Sequence, residues 1–356
     1  MEFGILFTSH PNPASEPYPH REVYARVTAE IQAADRLGYD TAWVAEHHFS
    51  NQYGIMPDVF TYLGYLAAKT SRIRLGTAVV TIPLYEPVRV VENLAFVDIL
   101  SGGRVMLGLG SGYRPYEFAG FGREFAARHD RQEEALALIL ELLHTRRITH
   151  QGPFFHATIA GEYKVFPVSI QQPHPPLFMA AGTDRSLAYA ARHGLGLMLS
   201  TLPSFETLAR QVRFYQAHVQ EAPAPLDQNP ACGHVDVARW VYVAETDAAA
   251  KRDTEAGIVH HLSHFMSVAT SGYLGTVSEK HGMDTLTYDT LAATTLVHGS
   301  PETVIARLRA LRDQTGLTSL LLHYPPSYGH EKTMQSLQLF AERVMPAFRP
   351  SRAVGA

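Results

Sequence analysis

A parallel α/β barrel of the (β/α)8 type is the fold class this sequence predicts, and three observations predict it. Short apolar runs alternate with longer amphipathic ones along the chain, the pattern of strand–helix repeats. Eight of the short runs read as strands, the number that closes such a barrel. Some, such as Leu195 to Leu199, are apolar throughout, as strands covered on both faces must be. The runner-up is an open, doubly wound sheet. The 356 residues accommodate one barrel of roughly 250 residues with insertions, read as a single domain over 1–348 and a fraying tail over 349–356.

The strands are expected at 3–7, 40–45, 73–80, 104–109, 176–181, 196–200, 235–243 and 318–323. Phe3-Gly4-Ile5-Leu6-Phe7 opens the series, and Asp40-Thr41-Ala42-Trp43-Val44-Ala45 follows a helix that ends at Gly38, a residue suited to a C-cap. The helices are expected at 21–37, 57–70, 88–100, 128–145, 184–193, 204–220, 301–314 and 331–346. Pro57-Asp58 starts the second; Thr183, Ser204 and Ser300 stand where an N-cap belongs, the last followed by Pro301. Two stretches exceed the minimal repeat. Residues 146–175 read as a hairpin-bearing insertion before the fifth strand. Residues 257–299, carrying Gly257, Gly272, Gly275 and Gly282, read as an excursion after the seventh strand, either a lid or decoration.

Composition excludes several function classes. Apolar residues make up 46% and charged residues 18%, enough for a large core. The net charge of −4, with neither sign in long runs, leaves no footprint for nucleic acid or an anionic membrane. Cys232 is the only cysteine, so no intrachain disulfide or cysteine metal cluster forms. The N-terminus lacks a signal-peptide pattern and no apolar run spans a bilayer, so a cytoplasmic protein is expected.

Candidate chemistry gathers at the carboxyl ends of strands, where parallel α/β folds hold ligands. His47, in Glu46-His47-His48-Phe49, follows the second strand and is a candidate acid, base or hydrogen-bond donor, or else a satisfied core histidine. Alternation sends His48 to the opposite side. Gly108-Leu109-Gly110-Ser111-Gly112 lacks the spacing of a dinucleotide loop, yet its glycines let backbone approach a flat ligand. Gly182, Thr183, Asp184 and Ser186 start a helix after the fifth strand, which makes either a phosphate seat or a plain N-cap. His260, His261 and His264 invite a metal site, and His260 and His264 share a helix face, but no carboxylate joins them, and no metal site is assigned. Gly-x-Ser-x-Gly and Walker A motifs are absent.

Taken in order, these segments resemble the bacterial luciferase-like flavin-dependent monooxygenases. The likeness covers nearly the whole chain: Phe3 to Leu6, Gly38 to Phe49, Arg74 to Val79, Pro87-Val88-Arg89 with Glu92, Asp98 to Arg104, Gly108 to Gly112, and Gly299 to Val304. The resemblance implies a barrel that holds reduced FMN at its mouth, with a non-proline cis peptide at Ala78-Val79 beneath the flavin. It implies that His47 is the active-site histidine and that Thr183 and Ser186, with Gly182 and Asp184, contact the phosphate. Arg128 or Arg131 would supply the balancing cation. Gly110 stands where light-emitting members carry a cysteine, which argues against a luciferase, and Ser111 stands where they carry a phosphate-binding arginine, which leaves the phosphate contacts open.

The implied function is monooxygenation of a small, apolar organic substrate by reduced FMN and dioxygen through a flavin hydroperoxide. A separate NAD(P)H:flavin reductase would supply the flavin. Phe7, His10, Phe49, Tyr113, Trp240 and His323 are the candidate pocket residues. The resemblance implies a homodimer through helices after the second and third strands, where Val59, Tyr62, Leu63 and Leu66 form an apolar face either for the partner or for the chain's own barrel. The rivals are a deazaflavin-dependent hydride-transfer oxidoreductase on the same barrel and a catalytically silent flavin-binding protein.

Overall fold

A computed structural model of the chain describes residues 1–50, 53–267 and 287–349. The strands are β1 (Glu2–Phe7), β2 (Thr41–Val44), β3 (Arg74–Thr77), β4 (Val80–Thr81), β5 (Val105–Gly110), β6 (Ile148–Gln151), β7 (His156–Ile159), β8 (Leu177–Ala180), β9 (Gly196–Leu199), β10 (Val235–Val243), β11 (Val297–Gly299) and β12 (Ser319–His323). The helices are α1 (Pro19–Leu37), α2 (Val59–Ala67), α3 (Pro87–Ser101), α4 (Pro115–Gly120), α5 (Arg128–Thr145), α6 (Asp184–Arg192), α7 (Phe205–Val219), α8 (Asp247–Ser267), α9 (Tyr288–Thr294), α10 (Pro301–Thr315) and α11 (His330–Leu339).

Strands β1, β2, β3, β5, β8, β9, β10 and β12 pair in parallel in that order, and β12 returns to β1. The ring is closed, so the open-sheet alternative falls. All eight expected strands and all eight expected helices are present to within a few residues. The third stave is split into β3 and β4 at the cis Ala78–Val79 bond, where the resemblance places one. The insertion before β8 carries the antiparallel β6–β7 hairpin. Most of the excursion, and with it any lid, lies outside the described residues.

Helix ends follow their sequence signals. Gly38 closes α1 at φ 90°, and the side chains of Asp58, Thr183, Ser204 and Ser300 each accept an N–H from the first turn of their helix. Asp98, fully buried, accepts the Ile170 and Gln171 N–H groups at 2.7 and 3.0 Å and so pins the insertion to α3. Arg104 donates to the carbonyls of Ala67 and Ile73, tying α2 to β3. These two contacts explain the Asp98–Arg104 segment as structural.

The barrel floor is filled by the inward residues of seven staves: Leu6, Trp43, Met106, Phe178, Met198, Ala238 and Leu321. Trp43 meets Phe178 edge-on at 5.1 Å. Gly76 makes room for the indole, since a Cβ there would lie 2.1 Å from it. The larger core lies outside the ring, between strands and helices.

Two expectations need correction. Val59, Tyr62, Leu63 and Leu66 are buried in the chain's own core, so they form no dimer face. The exposed apolar residues on those helices are Tyr65, Phe96, Ile99 and Leu100. Nor does the tail fray at Arg349, whose guanidinium donates to Asp40 at 2.6 Å and to the Gly38 carbonyl. Residues 350–356 lie outside the described residues.

Candidate active site

Above the floor, at the carboxyl ends of the strands, a cavity of about 360 Å³ opens. That is within the range of small-molecule sites. Among the expected site residues, His47, Ala78, Val79, Gly110, Ser111, Tyr113, Arg128, Gly182, Thr183, Ser186 and His323 line it. Trp240 does as well.

Five expected residues do not. Phe7 packs in the outer core, because Leu6 and Thr8 take the inward positions on that strand. Phe49 lies past the end of its strand, 62% exposed, against His48 and Phe121. Asp184 pairs with Arg210 at 2.7 Å on the surface. Arg131 is buried elsewhere, donating to the Pro83 carbonyl and lying over the Phe155 ring. His10 sits behind the wall, with ring centroids 5.7 and 5.9 Å from those of Tyr53 and His261, which do line the cavity.

The histidine pair divides as alternation requires. His48 Nε2 lies 3.0 Å from Glu46, whose other oxygen accepts from the Tyr85 hydroxyl at 2.7 Å. His47 stays at the cavity wall. Its Nδ1 is 3.1 Å from Glu117 Oε1, which also accepts the His48 N–H at 3.0 Å. Its Nε2 is 3.5 Å from the Tyr113 hydroxyl.

Burial would raise the Glu117 carboxyl, but bonds from His47 and His48, with the nearby Arg114 charge, bring it below the usual carboxylate value. Burial pulls His47 down, and the field of Arg114 adds to that against the upward pull of Glu117. An ionised Glu117 can only accept, so neutral His47 carries its proton on Nδ1 and leaves Nε2 as an acceptor. Arg114, fully buried, donates to the Tyr113 and Tyr116 hydroxyls and lies 4.3 Å from the centre of the Tyr53 ring.

The far end of the cavity is polar. Thr183 and Ser186 form a reciprocal capping box at the start of α6, with Ser186 Oγ taking the N–H groups of Gly182 and Thr183 at 3.1 and 3.0 Å. The plain N-cap reading is therefore correct as local structure, and both residues still line the cavity. Arg185 pairs with Glu133 at 3.1 Å, whereas Arg128 has no carboxylate partner among the described residues. Between the ends, Gly110 keeps the wall flat: a Cβ there would come within 2.5 Å of Val79. Gln132 and Gln211 each bury an amide atom, Nε2 and Oε1, that has no partner among the described residues. Arg239 fixes the loop after β9 by donating to the Thr201 and Pro203 carbonyls, both at 2.7 Å.

The geometry suits a flat, polar-edged ring with an anionic tail. A family model described as luciferase-like monooxygenase matches residues 1–319. The chain belongs to that family.

Its relatives use more than one cofactor. The chain is 24% identical to the oxygenase component of flavin-dependent trigonelline monooxygenase from Acinetobacter baylyi, over 99% of this chain and 97% of that protein. It is 27% identical to an F420-dependent glucose-6-phosphate dehydrogenase of Amycolatopsis mediterranei, over 89% of this chain and 92% of that protein. Among solved structures, it superposes on the oxygenating constituent of 3,6-diketocamphane monooxygenase from Pseudomonas putida, determined with FMN. That match has a TM-score of 0.79 at 20% identity, covering 97% and 98% of the two chains. This luciferase-like chain is thus an oxidoreductase, in a family of FMN monooxygenases and F420-dependent enzymes.

Sequence reasoning missed Glu117, Arg114, Tyr53, Gln132 and Gln211, and weighed His261 only as a metal ligand. One signal pointed to the first: Glu117 is the only carboxylate between Asp98 and Glu124, in a glycine-rich stretch that follows a strand end. Nor did the histidine pattern favour His261, which lines the cavity while His260 is exposed.

Proposed function

We propose that the chain is the oxygenating half of a two-component monooxygenase, using reduced FMN from a separate NAD(P)H:flavin reductase and dioxygen to oxygenate a small organic substrate. The observation that carries this reading is the His47–Glu117 pair on the wall of a cavity whose far end offers hydroxyls, a helix N-terminus and the Arg128 charge. The residues fit the cofactor. Ala78, Val79 and Gly110 would lie along the ring, Gln132 and Gln211 would meet its polar edge, and Thr183, Ser186 and Arg128 would hold the phosphate.

When bound, reduced flavin supplies the electrons and the oxygen activation. The chain's share is position, dryness and proton control. His47 Nε2, an acceptor held in place by Glu117, takes up a proton at the cavity wall and returns it, and Tyr113 is near enough to take part.

A homodimer would form through the exposed Tyr65, Phe96, Ile99 and Leu100.

Rapid mixing tests the oxygenase reading. Protein loaded anaerobically with reduced FMN meets oxygenated buffer, and the return of oxidised-flavin absorbance is followed. The expected result is a delay relative to free flavin that shortens in His47→Ala. Return at the free-flavin rate in both proteins would refute it.

A further inference from the structure

We infer that Arg114 is a positioning residue for His47: its buried guanidinium engages the Tyr113 oxygen, so that the phenol donates to His47 Nε2, and it balances the Glu117 carboxylate across the imidazole. This deepens the reading of His47 as the proton-handling group and rests on it, although the charge relation itself needs no cofactor.

The five residues from Tyr113 to Glu117 carry the arrangement. Pro115 opens α4, and the residue before a proline is held extended, as Arg114 is at φ −110° and ψ 105°. The Glu117 N–H donates to the Arg114 carbonyl at 3.1 Å, so one tight turn carries both charges. Arg114 is only 1% exposed. Its guanidinium donates to the Tyr116 hydroxyl at 3.1 Å and the Tyr113 hydroxyl at 3.4 Å, and its carbon lies 4.3 Å from the centre of the Tyr53 ring. Among the described residues these direct partners are phenols, not carboxylates. A guanidinium keeps its charge when buried, and a buried charge is costly unless something answers it. Three residues on, Glu117 is the answering charge.

The hydrogen-bond chain has one direction. Ionised Glu117 accepts from Nδ1, which leaves Nε2 an acceptor. At the other end Arg114 can only donate, so it takes a lone pair of the Tyr113 oxygen, and burial keeps that phenol protonated. Tyr113 and Nε2 are 3.5 Å apart, and the proton between them is the phenol's. The charges agree with the bonds. Burial pulls His47 toward its neutral form, Glu117 draws it back, and Arg114 and His48 oppose Glu117. The other groups packed here are Tyr53, edge-on at 4.8 Å, and Glu46, which is engaged by His48 and Tyr85. Arg114 is thus the fixed positive charge at this ring. Without it Glu117 would favour the imidazolium, which has no lone pair left to accept with.

Nitrogen-15 spectra of histidine-labelled full chain, recorded without flavin, test the inference, with His47→Ala identifying the resonances. At neutral pH the wild-type ring is expected to be protonated on Nδ1 and bare on Nε2. In Arg114→Met its titration midpoint should move to higher pH. In Tyr116→Phe, which disturbs the packing of the guanidinium and leaves its charge, the midpoint should stay. An unmoved midpoint in Arg114→Met, or an equal rise in Tyr116→Phe, would overturn the inference. So would a wild-type ring that is charged or protonated on Nε2 at neutral pH, a result that requires no variant to fold. Rapid mixing of the same preparations with reduced FMN separates the two claims. Reoxidation at the free-flavin rate with the His47 shift intact removes the oxygenase reading alone, and delayed reoxidation with an unmoved His47 removes this inference alone.

Discussion

His47 Nδ1 lies 3.1 Å from Glu117 Oε1, and that contact decides which nitrogen of the ring is free at the cavity. Replacing the histidine by alanine should cost about a hundredfold or more in turnover, the usual share of a positioned acid or base. Glu117→Gln keeps a hydrogen-bonding group but removes the charge that draws the His47 proton affinity upward. A smaller loss is therefore expected, with the acidic limb of the kcat/KM profile moved to lower pH. An unmoved limb would show that Glu117 does not act through His47.

The hydroxyls of Thr183 and Ser186 serve two ends, a helix cap and the wall of the polar pocket. Thr183→Ala should lower stability by ~1 kcal/mol, the common cost of a lost N-cap, visible in a urea transition. Ser186→Ala should also erode the preference for FMN over riboflavin in a binding titration. Riboflavin lacks the phosphate, so an unchanged ratio would move the phosphate away from this helix.

Glycines in the barrel differ in what surrounds them. A Cβ at Gly108 would lie 2.1 Å from the Thr77 carbonyl oxygen, in a backbone that Thr77 already grips by two hydrogen bonds. Gly108→Ala should therefore destabilise by at least ~1–3 kcal/mol. Gly64, inside α2, meets nothing closer than Leu100 at 3.8 Å. There alanine should stabilise by ~0.5–1 kcal/mol, with the two urea midpoints moving in opposite directions.

Two buried histidines set an acid limit on stability. Burial lowers His323 to about 4 and His298 to about 3; the latter is held by the hydroxyls of Thr254, Tyr288 and Tyr328. In the unfolded chain both titrate near 6.5. Above that value neither binds a proton in either state. As pH falls below it the unfolded state takes up protons that the folded state refuses, so stability drops by up to ~1.4 kcal/mol per pH unit for each histidine. The urea midpoint should fall steadily from pH 6.5 to 4, less steeply in His323→Leu.

Strand positions were legible because a buried parallel strand is apolar along its length, and caps were legible because Asp58, Thr183, Ser204 and Ser300 carry their own chemistry. Orientation was harder. One residue of parity separates outer-core Phe7 from cavity-lining Leu6 and Thr8, and part of a helical turn separates buried Arg131 from cavity-lining Arg128. The dimer face failed likewise: on α2 the apolar stripe turned inward and Tyr65 remained outside. Glu117 reaches His47 across 70 residues, a closeness that comes from segments following β2 and β5, two staves apart in the closed ring, and not from local pattern. Only the resemblance anticipated the cis bond at Ala78–Val79.

The most direct test of the whole account is an anaerobic titration of the chain with reduced FMN, reduced riboflavin and a reduced deazaflavin bearing its carboxylate tail. A cavity built as described should bind reduced FMN most tightly, with riboflavin weakened by loss of the phosphate. Tighter binding of the deazaflavin than of FMN would contradict it and make the chain a hydride-transfer enzyme.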